Sequence, residues 1–323
     1  MRLSRRAFAL TALAAASVAA TPLQAAEKIQ LGMVGAGSVV VWPLYIGNAK
    51  GFFAKRGVEL DMINVSSNAS MQQQLAAAAL DIGVSGGNPD PIRAIVRGAP
   101  NVVLLIETIA SPYSLMSKAD IKTPKDLKGR TISLDGPKGA GRAYLNSILK
   151  PTGLKEGDFD LVFQGSTPAR LAALKSGAAD AAMVSAPYNF YAEAMGFREL
   201  VVVSEVVKDF PFAATTANRA WVLAHKDLAR NYVAGYIESV NWFYDPKNRD
   251  EVIQLAVKNT PMKEPDVAKT YEFFQKIKFF NQSDAVSKTL LNNVMDVLIG
   301  FQDLDKRIDA ERLVAPEVTK LVD

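Results

Sequence analysis

The sequence predicts an α/β protein of two lobes, each built on a parallel sheet, with a ligand cleft between them and a helical C-terminal tail packed on the first lobe. Three observations predict it. A strand-helix-strand-helix-strand pattern occurs twice, the landmarks of the two copies keep a constant separation, and from Asp227 onward the apolar periodicity is entirely helical.

The first copy spans residues 29–88 and the second 131–188. Each opens with a short apolar strand (Ile29–Val34; Thr131–Leu134), followed by a glycine-rich loop and a helix that stops near Gly57 or Gly153. A second strand follows (Val58–Asn64; Phe159–Gln164), then a hydroxyl pair, Ser66-Ser67 or Ser166-Thr167. An alanine- and leucine-rich helix leads to Asp81 or Asp180, and a third strand ends at Ser85 or Ser185 shortly before a proline. The separations are 96 residues for the glycines, 100 for the hydroxyl pairs and 99 for the aspartates.

Between the copies lies the apolar strand Val102–Ile106, and 107–112 reads as a crossing into the second lobe. Thr123-Pro124-Lys125-Asp126 is a helix start, with threonine as cap and the carboxylate three residues on. Thr167-Pro168 repeats the first half of that signal. Leu200–Val203 closes the second lobe, Asp209-Phe210-Pro211-Phe212 reads as the return crossing, and Ala220–Ala224 as a strand rejoining the first lobe. In the tail, Leu228, Tyr232, Val233, Tyr236, Ile237, Val240 and Phe243 share one helical face. Further helices are expected at Asn248–Asn259, Pro265–Ile277 and Ser283–Phe301. The expected organisation is therefore a leader over 1–26, lobe I over 27–110, lobe II over 111–219, and completion of lobe I with the tail helices over 220–323.

The leader has a basic start (Arg2, Arg5, Arg6), an apolar run from Ala7 to Ala20 and a small-residue exit near Ala25-Ala26, the three parts of a cleaved signal peptide. Its run is shorter than the roughly 20 residues of a membrane-spanning helix. Ser4-Arg5-Arg6-Ala7-Phe8 fits a twin-arginine signal, and an ordinary Sec signal is the other reading. Both imply export, and with no lipid anchor the expected location is periplasmic. The formal charge of +4 belongs mostly to this leader: 37 basic residues less its three arginines leaves 34, against 33 acidic ones. A basic face for nucleic acid is not supported.

Ligands of open α/β sheets sit beyond the carboxyl ends of the strands, where unpaired N–H groups at helix starts favour anions. The candidate ligand-binding residues in lobe I are Gly37, Ser38 and Trp42, then Ser66, Ser67 and Asn68, then Ser85, Gly86 and Asn88. In lobe II they are Lys138, Gly139 and Arg142, then Ser166 and Thr167, then Ser185 and Tyr188. Such serines and threonines also serve simply as helix caps. Arg142 offers a planar fork to a carboxylate, sulfonate or phosphate, and Lys138 a less directional charge. Trp42, Tyr188 and Trp221 are candidate aromatic walls. Asp90, between two prolines, is either a surface turn or, facing the cleft, a partner for an amine or pyrimidine nitrogen. Gly136–Arg142 falls short of a P-loop because Arg142-Ala143 replace the lysine and hydroxyl residue, and Val40 spoils a dinucleotide fingerprint.

The chain has no cysteine and a single histidine, His225, at a helix start away from these loops. Thiol nucleophiles, disulfides, cysteine-based zinc sites and histidine-pair metal sites are thereby excluded, and a histidine-based hydrolase has no base in reach. The expectation is a non-enzyme without cofactor or metal.

Several segments in this order and spacing carry a family resemblance: Pro43-Leu44-Tyr45-Ile46, Lys50-Gly51-Phe52-Phe53, Gly57-Val58-Glu59-Leu60, Leu80-Asp81-Ile82-Gly83-Val84, Asp126-Leu127-Lys128-Gly129-Arg130-Thr131-Ile132, and Leu171-Ala172-Ala173-Leu174 through Asp180. The chain resembles the ABC-transporter periplasmic solute-binding proteins of the nitrate/sulfonate/taurine and thiamine-precursor group. The resemblance covers most of residues 28–224. It implies two α/β lobes of the type II-like periplasmic binding fold, joined by two crossing strands, closing on a small molecule and docking as a monomer on an inner-membrane ABC permease. The loop chemistry and Arg142 point to a small anionic organic solute of sulfonate or carboxylate type. A thiamine-precursor-like pyrimidine or amine solute, and a sensory role, stay open.

Overall fold

The computed structural model describes residues 26–34, 38–85, 87 and 89–323. The expected leader therefore lies, but for Ala26, outside the described residues. Lobe I begins β1 (Glu27–Val34), α1 (Trp42–Ala49), β2 (Val58–Val65), α2 (Asn68–Ala76), β3 (Ile82–Ser85), α3 (Asp90–Val96) and β4 (Asn101–Ile106). The chain then builds β5 (Tyr113–Ser117), β6 (Thr131–Leu134), α4 (Ala140–Leu149), β7 (Asp160–Phe163), α5 (Thr167–Ser176), β8 (Ala181–Ser185), α6 (Tyr188–Ala194), β9 (Arg198–Val202) and α7 (Val203–Val206). It returns as β10 (Ala214–Asn218) and continues through α8 (Arg219–Ala224), α9 (Lys226–Tyr244), α10 (Arg249–Asn259), α11 (Glu264–Ile277), β11 (Val286–Ser287), α12 (Lys288–Gly300) and β12 (Leu321–Val322).

The two five-stranded sheets have the same plan. Sheet I runs β2-β1-β3-β10-β4 and sheet II β7-β6-β8-β5-β9. In each, three strands of the repeat pair in parallel, and the fourth strand, β10 or β5, is antiparallel to its neighbours. That fourth strand comes from the far side of a crossing, so each sheet is completed only when the chain has passed between the lobes. The repeated aspartates lock equivalent strands: Asp81 accepts from the Gln30 amide at 2.8 Å, and Asp180 from the Thr131 amide at 3.0 Å.

The two crossings, 107–112 and 207–213, lie against each other. The amides of Glu107 and Thr108 both donate to the Ala213 carbonyl, at 3.0 and 3.4 Å, and the Ala213 amide donates to Thr108 Oγ1 at 2.8 Å. Glu107 is wholly buried here with one hydrogen bond to its carboxylate, from Thr215 Oγ1 at 2.6 Å. Burial pushes its carboxyl up to about 8.

The strand expected at Ala220–Ala224 is instead helix α8, and the returning strand is β10 just upstream. Asn218 Oδ1 accepts from the amides of Ala220 and Trp221 and so starts a helix where an apolar run suggested a strand. The strand itself, Ala-Thr-Thr-Ala-Asn, hides two threonines with 0% exposure between β3 and β4. Likewise the helix expected from Ser283 begins at Lys288, because Val286–Ser287 pairs with Leu321–Val322 and Ser287 caps α12.

The tail covers lobe I. α9 buries Leu228, Tyr232, Val233, Tyr236, Val240 and Phe243, the expected face less the half-buried Ile237. The tail also reaches lobe II: Tyr191 of α6 donates to Asp266 of α11 at 2.8 Å, and Phe190 meets Phe273 edge-on.

Candidate ligand-binding site

Between the lobes lies a cleft of two adjoining hollows that share Val34, Tyr113 and Phe212. Tyr113 and Phe212, one beside each crossing, form an edge-to-face pair with ring centroids 5.5 Å apart. The first hollow, about 890 Å³, runs from Ser66–Ala69 and α3 on lobe I to residues 135–140 and 165–166 on lobe II. The second, about 600 Å³, is lined by Ser38–Val40, Thr167, Pro168, Ser185–Tyr188, Tyr191, Pro261 and Met262. Both volumes suit small solutes.

Of the residues expected to bind ligand, Ser66, Ser67, Asn68, Lys138, Gly139 and Ser166 line the first hollow. Ser38, Thr167, Ser185 and Tyr188 line the second. Gly37, Gly86 and Asn88 lie outside the described residues, and Ser85 closes β3. Ser67 and Ser166 are also helix caps, accepting from the amides of Ser70 and Ala169. Ser166 thus takes the capping role expected of Thr167, which becomes the first helical residue and lines the second hollow.

Three expected contacts are overturned. Trp42 is 1% exposed, with Phe243 and Phe274 at ring distances of 6.5 and 5.8 Å, so it anchors the tail to lobe I and walls no cleft. The short Val39–Val41 turn, itself buried, carries the indole inward. Arg142, the third residue of α4, lines neither hollow; it is buried and bonds Glu156 at 3.0 Å. Three residues past the Gly139 cap, the helix has turned that side chain away from the cleft. Trp221 is also no wall, stacking instead on His225 at 5.2 Å.

The cations of the first hollow are already engaged. Asp303 of the tail, its side chain 1% exposed, takes Arg93 at 2.9 Å, Arg97 at 2.7 Å and Lys138 at 2.9 Å. Burial pushes its carboxyl up, and the bonds from Lys138 and Arg93 outweigh this and hold it below the ordinary range. Asp90 does face the hollow, paired with Arg93. Burial raises its carboxyl, Arg93 opposes this, and Asp135 and Asp303 add to the rise. Asp135 sits at the carboxyl end of β6, and the glycine loop wraps around it. A Cβ at Gly139 or Gly141 would lie 2.4 or 2.5 Å from its carboxylate. The loop is therefore glycine-rich at least as much for Asp135 as for any ligand.

Among the described residues, none lining the second hollow is charged. Behind its lobe II wall lies Arg170, 1% exposed. Its Nε donates to the Met183 carbonyl at 2.6 Å, Nη1 to Gly165 at 2.9 Å, and Nη2 to Thr167 Oγ1 at 2.8 Å and the Tyr113 hydroxyl at 3.5 Å. The sequence reading passed over Asp135, Tyr113, Phe212, Arg93 and Arg170. For Arg170 a signal was present: an arginine beside Leu171 on the stripe that buries Ala173 and Leu174.

Residues 38–248 match the family model described as NMT1/THI5 like. The chain belongs to the NMT1/THI5-like family. Among curated relatives, it is 23% identical over 264 residues to the nitrate/nitrite binding protein NrtA of Nostoc sp., a segment covering 74% of this chain and 59% of that protein. It is 31% identical over 146 residues to the taurine-binding periplasmic protein of Escherichia coli, 45% of each chain. The matched segments thus span about half the length of these two relatives. The aliphatic sulphonate binding protein SsuA of E. coli superposes with a TM-score of 0.74 at 18% identity, covering 90% of this chain and 98% of that one. The two-lobed architecture is therefore the periplasmic binding protein fold of this NMT1/THI5-like member.

Proposed function

We propose that this protein is the substrate-binding component of an ABC importer, exported to the periplasm by its N-terminal leader, and that it captures a small anionic organic solute of sulfonate or carboxylate type by closure of its lobes. The observation that carries the reading is the shared cleft: repeat-related loops of both lobes line it, with hydroxyls Ser66, Ser67, Ser166, Thr167 and Ser185 on its walls. Relatives named for nitrate, taurine and sulphonate binding support the anionic class. The starts of α2, α4 and α5 meet at this cleft, where the positive ends of the helix dipoles favour negative charge.

Capture needs only a hinge and two walls. Ligand binds one lobe, and the pair of hydrogen-bonded crossings lets the other lobe rotate to complete the shell. Differential affinity for the closed arrangement drives the shift, and the closed form then docks on the permease. No residue is assigned a chemical step.

A second reading, an amine or pyrimidine solute, rests on Asp135, whose Oδ1 is buried in the first hollow with no hydrogen-bond partner among the described residues. A thermal-shift screen of sulfonates, carboxylates, pyrimidines and amines decides between them. Stabilisation by anions is expected; stabilisation confined to pyrimidines or amines overturns the anionic assignment.

A further inference from the structure

We infer that Arg170 is the fixed positive charge of the site, and that the anionic headgroup of the solute seats in the second hollow, against Thr167 and Ser185, with its apolar body along Val39, Val40 and Phe212. This rests on the anionic-solute reading above and assigns its polarity to one hollow and one residue.

Each cation lining the first hollow already meets a carboxylate: Arg93 meets Asp90 and Asp303, and Arg97 and Lys138 meet Asp303. Arg170 meets none. Among the described residues no carboxylate lies within ion-pair distance of it, and every acceptor it uses is neutral. A guanidinium cannot shed its proton at physiological pH, so burial leaves a standing charge that calls for a counter-charge. The side facing the cleft is where one can come.

The same hydrogen bonds set the direction of the wall. Arg170 Nη2 donates to Thr167 Oγ1 and to the Tyr113 hydroxyl. Each of these oxygens thereby accepts one hydrogen bond from the guanidinium, which turns its own hydrogen away from Arg170. Thr167 Oγ1 and Ser185 Oγ stand 3.3 Å apart at the surface of the hollow. One of their two hydrogens is used in the bond between them, and the other is left to donate into the hollow with the guanidinium behind it. Such a donor, backed by a buried cation, fits an anionic oxygen better than an ammonium group. Apart from Ser38 and the tyrosine hydroxyls, the remaining lining is alanine, valine, proline, methionine and aromatic carbon, which suits an alkyl or aryl body. Arg170 acts through Thr167 and Tyr113, so it is a positioning residue.

The test compares each anion with its neutral isostere. Calorimetry measures Kd for benzenesulfonate against benzenesulfonamide, and for benzoate against benzamide, in the wild-type protein, Arg170→Gln, and Thr167→Val combined with Ser185→Ala. Wild type is expected to prefer the anion by at least about 30-fold, and Arg170→Gln to cut that preference to about 3-fold or less. A merely structural loss weakens anion and isostere alike and leaves the ratio standing. Because Arg170→Gln removes a buried group, the Thr167→Val/Ser185→Ala protein keeps the question open to refutation if the first variant fails to fold. It is expected to weaken anion binding about tenfold or more. An unchanged anion preference in either variant overturns the inference while leaving the anionic-solute reading intact. Failure of the wild-type protein to bind either anion overturns that reading and this inference together.

Discussion

The Nζ of Lys138, in the glycine loop of lobe II, lies 2.9 Å from Oδ1 of Asp303, in the tail that covers lobe I. Beside it, Arg93 Nη2 of lobe I donates to the Lys138 carbonyl at 2.7 Å. The loop that sequence reading offers as a ligand cradle is thus also one half of a clasp across the cleft.

Breaking that clasp should favour the open arrangement. Asp303→Asn leaves three cations without their shared carboxylate and is expected to weaken solute binding about 3- to 10-fold. Small-angle scattering should show a larger radius of gyration for the ligand-free variant. Equal affinity and unchanged scattering would show that the clasp holds nothing closed. Asp303 has a depressed carboxyl, so its contribution is present above the ordinary value of about 3.9 and is lost as pH falls through its lower folded value. Stability and closure should therefore drop together below about pH 4.

Glu107 gives the opposite pH dependence. Its folded pKa of about 8 stands well above the unfolded value. Below about 4.3 both states hold the proton; above that the folded state alone keeps it. Its contribution is full below that point and is lost as pH rises towards 8, at about 1.4 kcal/mol per pH unit. Glu107→Gln keeps an acceptor for Thr215 and removes the titration. Urea unfolding at pH 5, 6, 7 and 8 should show the variant gaining on wild type at each step. Parallel pH curves would mean that Glu107 ionises in the fold without cost.

The contact of α1 with α9 depends on Gly47. A Cβ there would lie 2.3 Å from the Phe53 ring and 2.5 Å from Ser239 Oγ. Gly47→Ala is expected to cost about 1–3 kcal/mol in chemical denaturation. Solute affinity should be unchanged in the folded fraction, since the residue lies in the core of lobe I. A variant as stable as wild type would mean that the two helices can move apart freely.

Intrinsic tryptophan emission should respond little to solute, because Trp42 is enclosed by the tail, Trp221 stacks on His225, and Trp242 of α9 lies under Lys50 and lines neither hollow. Tyr188→Trp puts an indole on the wall of the second hollow, and its emission should shift on binding. A large change in the wild-type protein would show that closure reaches the tail.

The repeat was legible because it is written in local chemistry. Glycines that end helices, aspartates that tie strand to strand, and serines that cap helices act within one supersecondary unit, so their spacing survives in one dimension. Ser67 and Ser166 illustrate the limit. Both line the cleft, but both are also caps, and sequence offers no way to separate the two roles. Trp42 and Arg142 were misplaced because each looked available beside a loop. What engages them, Phe243 and Phe274 around the one and the Glu156 carboxylate on the other, comes from elsewhere in the chain.

By itself, the sequence determined the two-fold plan, the parallel strand pairs, the helical tail and the loops that meet at the cleft, because periodicity and caps are short-range signals. The tertiary structure alone decided which strand completes each sheet, that Tyr113 and Phe212 lie at the junction of the hollows, and which cations already have partners. Those outcomes depend on which distant side chains come within a few ångströms. Arg93 and Arg170 are indistinguishable as letters; one is met by Asp90 and Asp303, and the other by carbonyls and hydroxyls.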